Sequence, residues 1–189
     1  MKSSLKNMVM VLLLVTLVAS AAVGVVNRMT TDPIRKAKEA RITEAIGKVL
    51  PPFDNNPSET VRKEGVDGDT VVIYTATKSG GETVGYAMET FTDKGFGGNV
   101  KLMVGFLPDG TINAVEVLEH KETPGLGDKM DPKKSPFSLQ FQGKNPKDFK
   151  LAVKKDGGDV DAITASTISS RAFCDAVERA YKVYQSIEK

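Results

Sequence analysis

The sequence predicts an α+β fold: an N-terminal apolar helix, then one domain in which an antiparallel sheet is flanked by helices. Three observations carry this reading. Met8 to Val26 is an uninterrupted stretch of apolar and small residues without a charge. The middle of the chain holds four strand-length runs rich in Val, Ile, Tyr and Phe, separated by Gly, Pro and Asp clusters. Near the end, Ile168, Ala172, Phe173, Ala176, Val177, Ala180, Tyr181, Tyr184 and Ile187 recur at three- and four-residue steps, the stripe of an amphipathic helix packed on a core. With 189 residues, 40% of them hydrophobic, the chain can fill one ordinary domain and not two. The predicted division is an anchor over residues 1–28 and a domain over residues 29–189.

At 1.5 Å per residue a helix over the apolar run reaches about 28 Å, close to the thickness of a bilayer core. Lys2 and Lys6 precede it, so by the positive-inside rule the N-terminus stays in the cytoplasm; Arg28 on the other flank weakens this asymmetry without reversing it. A cleaved signal peptide is the rival reading, because Ala19-Ser20-Ala21 fits a small-residue cleavage site. The run continues to Val26, where a mature domain would turn polar, and this favours an uncleaved transmembrane helix. A lipoprotein is disfavoured because no cysteine lies near the segment. Each version puts the rest of the chain outside the cytoplasm.

Beyond the anchor, Thr31-Asp32-Pro33 reads as a helix start, with proline at the first helical position. Ile34, Ala37, Arg41, Ala45 and Val49 continue at helical spacing, and Pro51-Pro52 ends the element. Residues 53–69 lack a clear period and read as an irregular connection. The strands are expected over Val71–Ala76, Val84–Phe91, Val100–Leu107 and Ile112–Leu118, with Pro108-Asp109-Gly110 turning a hairpin.

Composition excludes several function classes. Setting aside Lys2, Lys6 and Arg28 leaves 23 of the 26 basic residues against 24 acidic ones, so the rest of the chain is near neutral and offers no nucleic-acid surface. One cysteine, Cys174, rules out an intrachain disulfide. With one histidine it also rules out the usual zinc sets and the Cys-x-x-Cys-His haem attachment, and no metal site is expected. Cys174 reads as core filling on the last helix, and Tyr181 and Tyr184 as packing residues.

Candidate ligand positions cluster at the start of that helix, in the run Asp161-Ala162-Ile163-Thr164-Ala165-Ser166-Thr167. A helix start near Thr167 leaves backbone N–H groups unpaired at the positive end of the helix dipole, which suits a phosphate. Arg171, one turn on, is placed to pair with such a phosphate. The plain alternative is that Ser166 or Thr167 only caps the helix. Of two Gly-rich stretches, Lys94-Gly95-Phe96-Gly97-Gly98 lacks the following helix and Lys-Ser/Thr ending of a phosphate loop and reads as a bend between strands. The other, Glu122 to Gly127, follows a predicted strand, and its glycines let backbone approach a flat ligand. His120 at the strand end reads as a polar boundary residue.

The segment 161–167 resembles the flavinylation motif of FMN-binding domains in the G subunit of Rnf electron-transport complexes and the C subunit of sodium-pumping NADH:quinone reductases. That motif runs Asp, two variable residues, Ser or Thr, Gly, Ala, then Thr or Ser, and its last hydroxyl is esterified by FMN phosphate. Thr167 takes the acceptor position here, while Ala165 replaces Gly and Ser166 replaces Ala. A second match is His120-Lys121-Glu122-Thr123-Pro124-Gly125-Leu126-Gly127, and the likeness runs from the apolar N-terminus to the last helix.

The resemblance implies a membrane-anchored flavoprotein subunit with FMN on Thr167, near Asp161, Thr164, Ser166 and Arg171, and with Thr123, Gly125 and Leu126 beside the flavin. It gives His120 a part in shaping the pocket. It implies a separate flavin transferase, other membrane subunits of an Rnf-type complex, and electron passage between ferredoxin and NAD coupled to Na⁺ or H⁺ movement. A single short anchor fits the G subunit better than the longer C subunit. Two other readings stay open: an anchored stand-alone FMN-domain reductase, and a non-flavin extracytoplasmic binding module.

Overall fold

The computed structural model describes residues 4–66 and 68–187; Lys2 lies outside the described residues. A helix, α1, runs Leu5–Val49, five strands follow as β1 (Val61–Val66), β2 (Asp69–Thr77), β3 (Thr83–Gly95), β4 (Gly98–Phe106) and β5 (Ile112–His120), and a second helix, α2, spans Thr167–Ile187. The chain divides into two compact units, Met1–Arg41 and Ile42–Lys189.

In the first unit α1 is long and apolar enough to cross a membrane, and none of its apolar span is buried in the protein. The helix start expected at Thr31-Asp32-Pro33 is corrected: α1 is continuous, with Pro33 inside it. Local polar contacts accompany the proline. Thr30 and Thr31 hydroxyls donate to the Val26 and Asn27 carbonyls at 2.8 and 2.6 Å, and Arg35 pairs with Glu39 at 3.0 Å. An established helix propagates at lower cost than a new one nucleates, which overrides the capping signal. The residue 28/29 boundary therefore falls inside a single helix.

In the second unit the five strands form an antiparallel meander in the order β1-β2-β3-β4-β5. Side chains alternate across it. Val71, Ile73, Met88, Leu102, Val104 and Phe106 share a core with Phe173, Val177, Ala180 and Tyr184 of α2. On the other side Tyr74, Ala76, Ala87 and Met103 pack with Ala45, Ile46 and Val49, the last turns of α1, and with Leu50. Gly105 lets this packing close, because a Cβ there would run into the Val49 carbonyl. Tyr184 and Tyr181 are packing residues: Tyr184 stacks on Phe106 at 5.3 Å and its hydroxyl donates to the Pro108 carbonyl at 2.7 Å.

The four expected strands are present. The reading of residues 53–69 as irregular is corrected by β1, whose residues pair with β2 from Val61 opposite Tyr74 to Val66 opposite Asp69. This edge strand carries Arg62, Lys63 and Glu64 and is exposed along most of its length, so it has no apolar alternation to reveal it. On α2, Ile168 is also corrected, being 48% exposed instead of joining the core stripe.

Candidate functional site

Three segments distant in sequence converge on one cleft of about 350 Å³. The β3–β4 hairpin contributes Phe96. The loop after β5 contributes Glu122, Thr123, Leu126 and Gly127, and the start of α2 contributes Ala165 to Ser169. Strand pairing makes the first two meet, because Val100 near the start of β4 lies opposite His120 at the end of β5.

The α2 wall is a turn locked before the helix begins. The Ser166 N–H donates to the Ile163 carbonyl at 3.0 Å, and the Ser170 hydroxyl accepts from the Ile163 N–H at 2.9 Å and donates to the Ser166 carbonyl at 3.0 Å. Closing this turn puts Ala165 at φ 60°, in the left-handed region, the one described residue other than glycine with positive φ. The first α-helical bond runs from the Ser170 N–H to the Ser166 carbonyl, so the N–H groups of Thr167, Ile168 and Ser169 are the free donors of the helix start. Thr167 is half-buried and lines the cleft at that start.

In the β5 loop the His120 Nδ1 accepts from the Glu122 N–H at 3.2 Å, turning the chain at the strand end. Gly125 has φ 78°, and the Leu126 N–H donates to the Thr123 carbonyl at 3.1 Å. The loop is fastened below by Asp128, 5% exposed, whose carboxylate accepts from Lys134 Nζ at 2.8 Å; that bond holds the Asp128 carboxyl below its ordinary range. Glu122, also 5% exposed, joins all three walls: Oε1 accepts from the Gly97 N–H at 3.1 Å and Oε2 from the Ser169 hydroxyl at 2.7 Å. A Cβ at Gly127 would stand 2.5 Å from Glu122 Oε2 and collide with the Ser169 hydroxyl, so a larger residue would force these side chains to shift.

Of the residues expected from sequence, the cleft brings together Thr167, Ser166, Thr123 and Leu126. Gly125 supplies the turn without lining it. Asp161 and Thr164 line a separate depression with Lys129, Phe137 and Gln140, and Asp161 pairs with Lys154 at 2.8 Å. Arg171 does not line the cleft; its Nε and Nη2 hold the two Asp156 carboxylate oxygens at 2.6 and 2.7 Å. Phe96, Glu122, Gly127 and Ser169 escaped the sequence reading. Glu122 stands inside the quoted loop motif, and Ser169 lies in the hydroxyl-rich run; both signals were present.

The cleft suits a phosphate-bearing aromatic cofactor on its own terms. It joins a helix start rich in N–H donors to exposed apolar side chains, Phe96 at 70%, Leu126 at 41% and Ile168 at 48% exposure. The family described as FMN-binding domain matches residues 95–182, a span that contains all three walls. The G subunit of the ion-translocating oxidoreductase complex of Shewanella piezotolerans is 35% identical over 95% of this chain and 88% of its own length. Its counterparts in Shewanella oneidensis and Vibrio atlanticus are 36% and 34% identical, over 90% and 95% of this chain and 85% and 90% of their own. The chain belongs to this G-subunit family. A crystal structure of Shewanella oneidensis NqrC aligns with TM-score 0.44 at 24% identity, covering 70% of this chain and 66% of that one. As a G-subunit family member with an FMN-binding domain, the chain takes FMN as its cofactor.

Proposed function

We propose that this G-subunit family chain is the membrane-anchored electron-transfer subunit of an Rnf-type complex and carries FMN esterified to Thr167. The observation that carries the reading is the position of Thr167: a hydroxyl at the first residue of α2, lining a cleft beside free helix N–H groups. Those N–H groups meet the phosphate, and the Ser166 turn fixes their direction. Phe96, Leu126 and Ile168 offer apolar surface to the ring, and Thr123 a polar edge. When bound, FMN supplies a two-electron store that can exchange electrons singly. In the attachment step Thr167 Oγ1 loses its proton and forms the phosphoester bond while the adenylate half of FAD leaves, catalysed by a separate flavin transferase. That enzyme reads Asp161, which is exposed.

The apolar span of α1 fixes the chain in the membrane, with the N-terminus in the cytoplasm and residues 29–189 outside it. Partner membrane subunits provide the ferredoxin, NAD and ion sites, and electrons pass between them through this chain.

Intact-mass measurement of the full chain made with a flavin transferase tests the attachment. Wild type gains one FMN, and Thr167→Val loses it together with fluorescence on a denaturing gel. Thr164→Val and Ser166→Ala keep both. Retention of covalent flavin by Thr167→Val, or its absence from wild type, rejects the reading.

A further inference from the structure

We propose that Glu122 is a potential-setting residue, a fixed negative charge held against the cleft that makes the bound flavin harder to reduce. The inference rests on the placement of FMN on Thr167 argued above. Glu122 lines the cleft yet is 5% exposed, so solvent screens its charge weakly. Both carboxylate oxygens act as acceptors, from Gly97 and Ser169, which aims the group from two walls at once. Among the described residues, no ion pair joins Glu122 to a lysine, arginine or histidine nitrogen; its carboxylate is met by the Gly97 N–H and the Ser169 hydroxyl. The neighbouring His120 turns an accepting nitrogen to the Glu122 backbone N–H. Gly127 makes room for the carboxylate, which a Cβ there would crowd.

Adding an electron to the flavin brings negative charge into the cleft, and the Glu122 carboxylate opposes it. A purely structural clamp would exert no such effect. The two roles separate because glutamine has the same shape. Its amide oxygen can accept from the Gly97 N–H and its NH₂ can donate to the Ser169 oxygen, so the clamp survives while the charge goes.

The test is a redox titration of the purified full chain bearing FMN, with a reduced viologen as one-electron donor, itself oxidised to the dication. Glu122→Gln should shift the one-electron equilibrium toward reduced flavin at least about tenfold, a rise of about 59 mV. Glu122→Ala, which removes charge and contacts together, should also raise the potential. Ser169→Ala, which breaks the clamp but leaves the charge, should leave the potential unchanged or lower it while reducing thermal stability. A wild-type potential in Glu122→Gln, or a rise in Ser169→Ala matching it, overturns the inference. Intact mass and peptide mapping of each sample locate the flavin. If FMN sits on a residue other than Thr167, the attachment reading falls and this inference with it; if it sits on Thr167 and the Glu122→Gln potential is unchanged, this inference alone falls.

Discussion

Arg171 and Asp156 form a two-point ion pair, Nε to Oδ2 at 2.6 Å and Nη2 to Oδ1 at 2.7 Å. The pair ties the first turn of α2 to the short turn Lys154–Asp156, and it leaves the guanidinium engaged away from the cleft. The guanidinium in turn holds the Asp156 carboxyl below its ordinary value of 3.8.

Arg171→Ala is therefore expected to retain a full complement of covalent FMN. Its side chain is 47% exposed and that of Asp156 39%, so water screens the pair and the loss of thermal stability is small. Raising the salt concentration should shrink the difference from wild type further. Intact mass and melting curves at low and high salt check both halves; an FMN-free variant would place the arginine in the attachment site after all.

Ala165→Gly is expected to stabilise the chain. Ala165 is held at φ 60°, and left-handed backbone costs a residue with a Cβ roughly 1–2 kcal/mol. Glycine escapes that strain but loses about 0.5–1 kcal/mol of backbone entropy on folding, so the net gain is up to about 1.5 kcal/mol. Urea unfolding measures it, and an unchanged or lower midpoint would count against strain at this turn.

Asp175→Ala should destabilise the domain near neutral pH and matter less in acid. Burial disfavours the Asp175 carboxylate, but hydrogen bonds from Lys94 at 2.5 Å and Thr92 at 2.7 Å and the charge of Arg179 outweigh it, leaving its carboxyl below 3.8. A depressed acid contributes stability in full above its unfolded value and loses it as pH falls through the folded value. The substitution also strips the buried Thr92 hydroxyl of its acceptor, a cost of about 1–3 kcal/mol. Denaturant titrations of both proteins across the acid range should converge as the pH drops.

Cys174 should resist thiol reagents in the folded chain. It is 3% exposed, and burial pushes its thiol up to about 12, which suppresses the reactive thiolate. A colorimetric thiol assay should report one reactive group in denaturant and essentially none before unfolding. Rapid native labelling would show that α2 opens readily.

The parts of this molecule that sequence reveals are those with one-dimensional periods. The stripe Ala172, Phe173, Ala176, Val177 marks α2 and, with the hydroxyl run before it, fixes its start at Thr167. Four strands announce themselves through β-branched and aromatic runs; β1 does not, because an edge strand bearing Arg62, Lys63 and Glu64 needs no buried face. Half of the cleft was legible in the same way, through motifs that stand at Thr123–Leu126 and Ser166–Thr167. The rest depends on pairing between distant residues. Phe96 reaches the cleft only because β4 and β5 align Val100 with His120, and Arg171 leaves it because Asp156, fifteen residues earlier, is folded back beside it. Pro33 misled for a different reason: a proline written like a beginning lies in the interior of a helix already under way.

The cleft also imposes an order of events on the making of the protein. Two of its walls come from the sheet, while the third, with the proposed acceptor, belongs to α2, which follows all five strands in the chain. A nascent polypeptide that has released only the sheet therefore has a half-built socket and nothing to esterify. With Thr167 as the acceptor, loading cannot precede the synthesis of α2. Flavin on Thr167 would then mark a chain whose last helix has been made, and so distinguish it from a polypeptide that ends within the sheet.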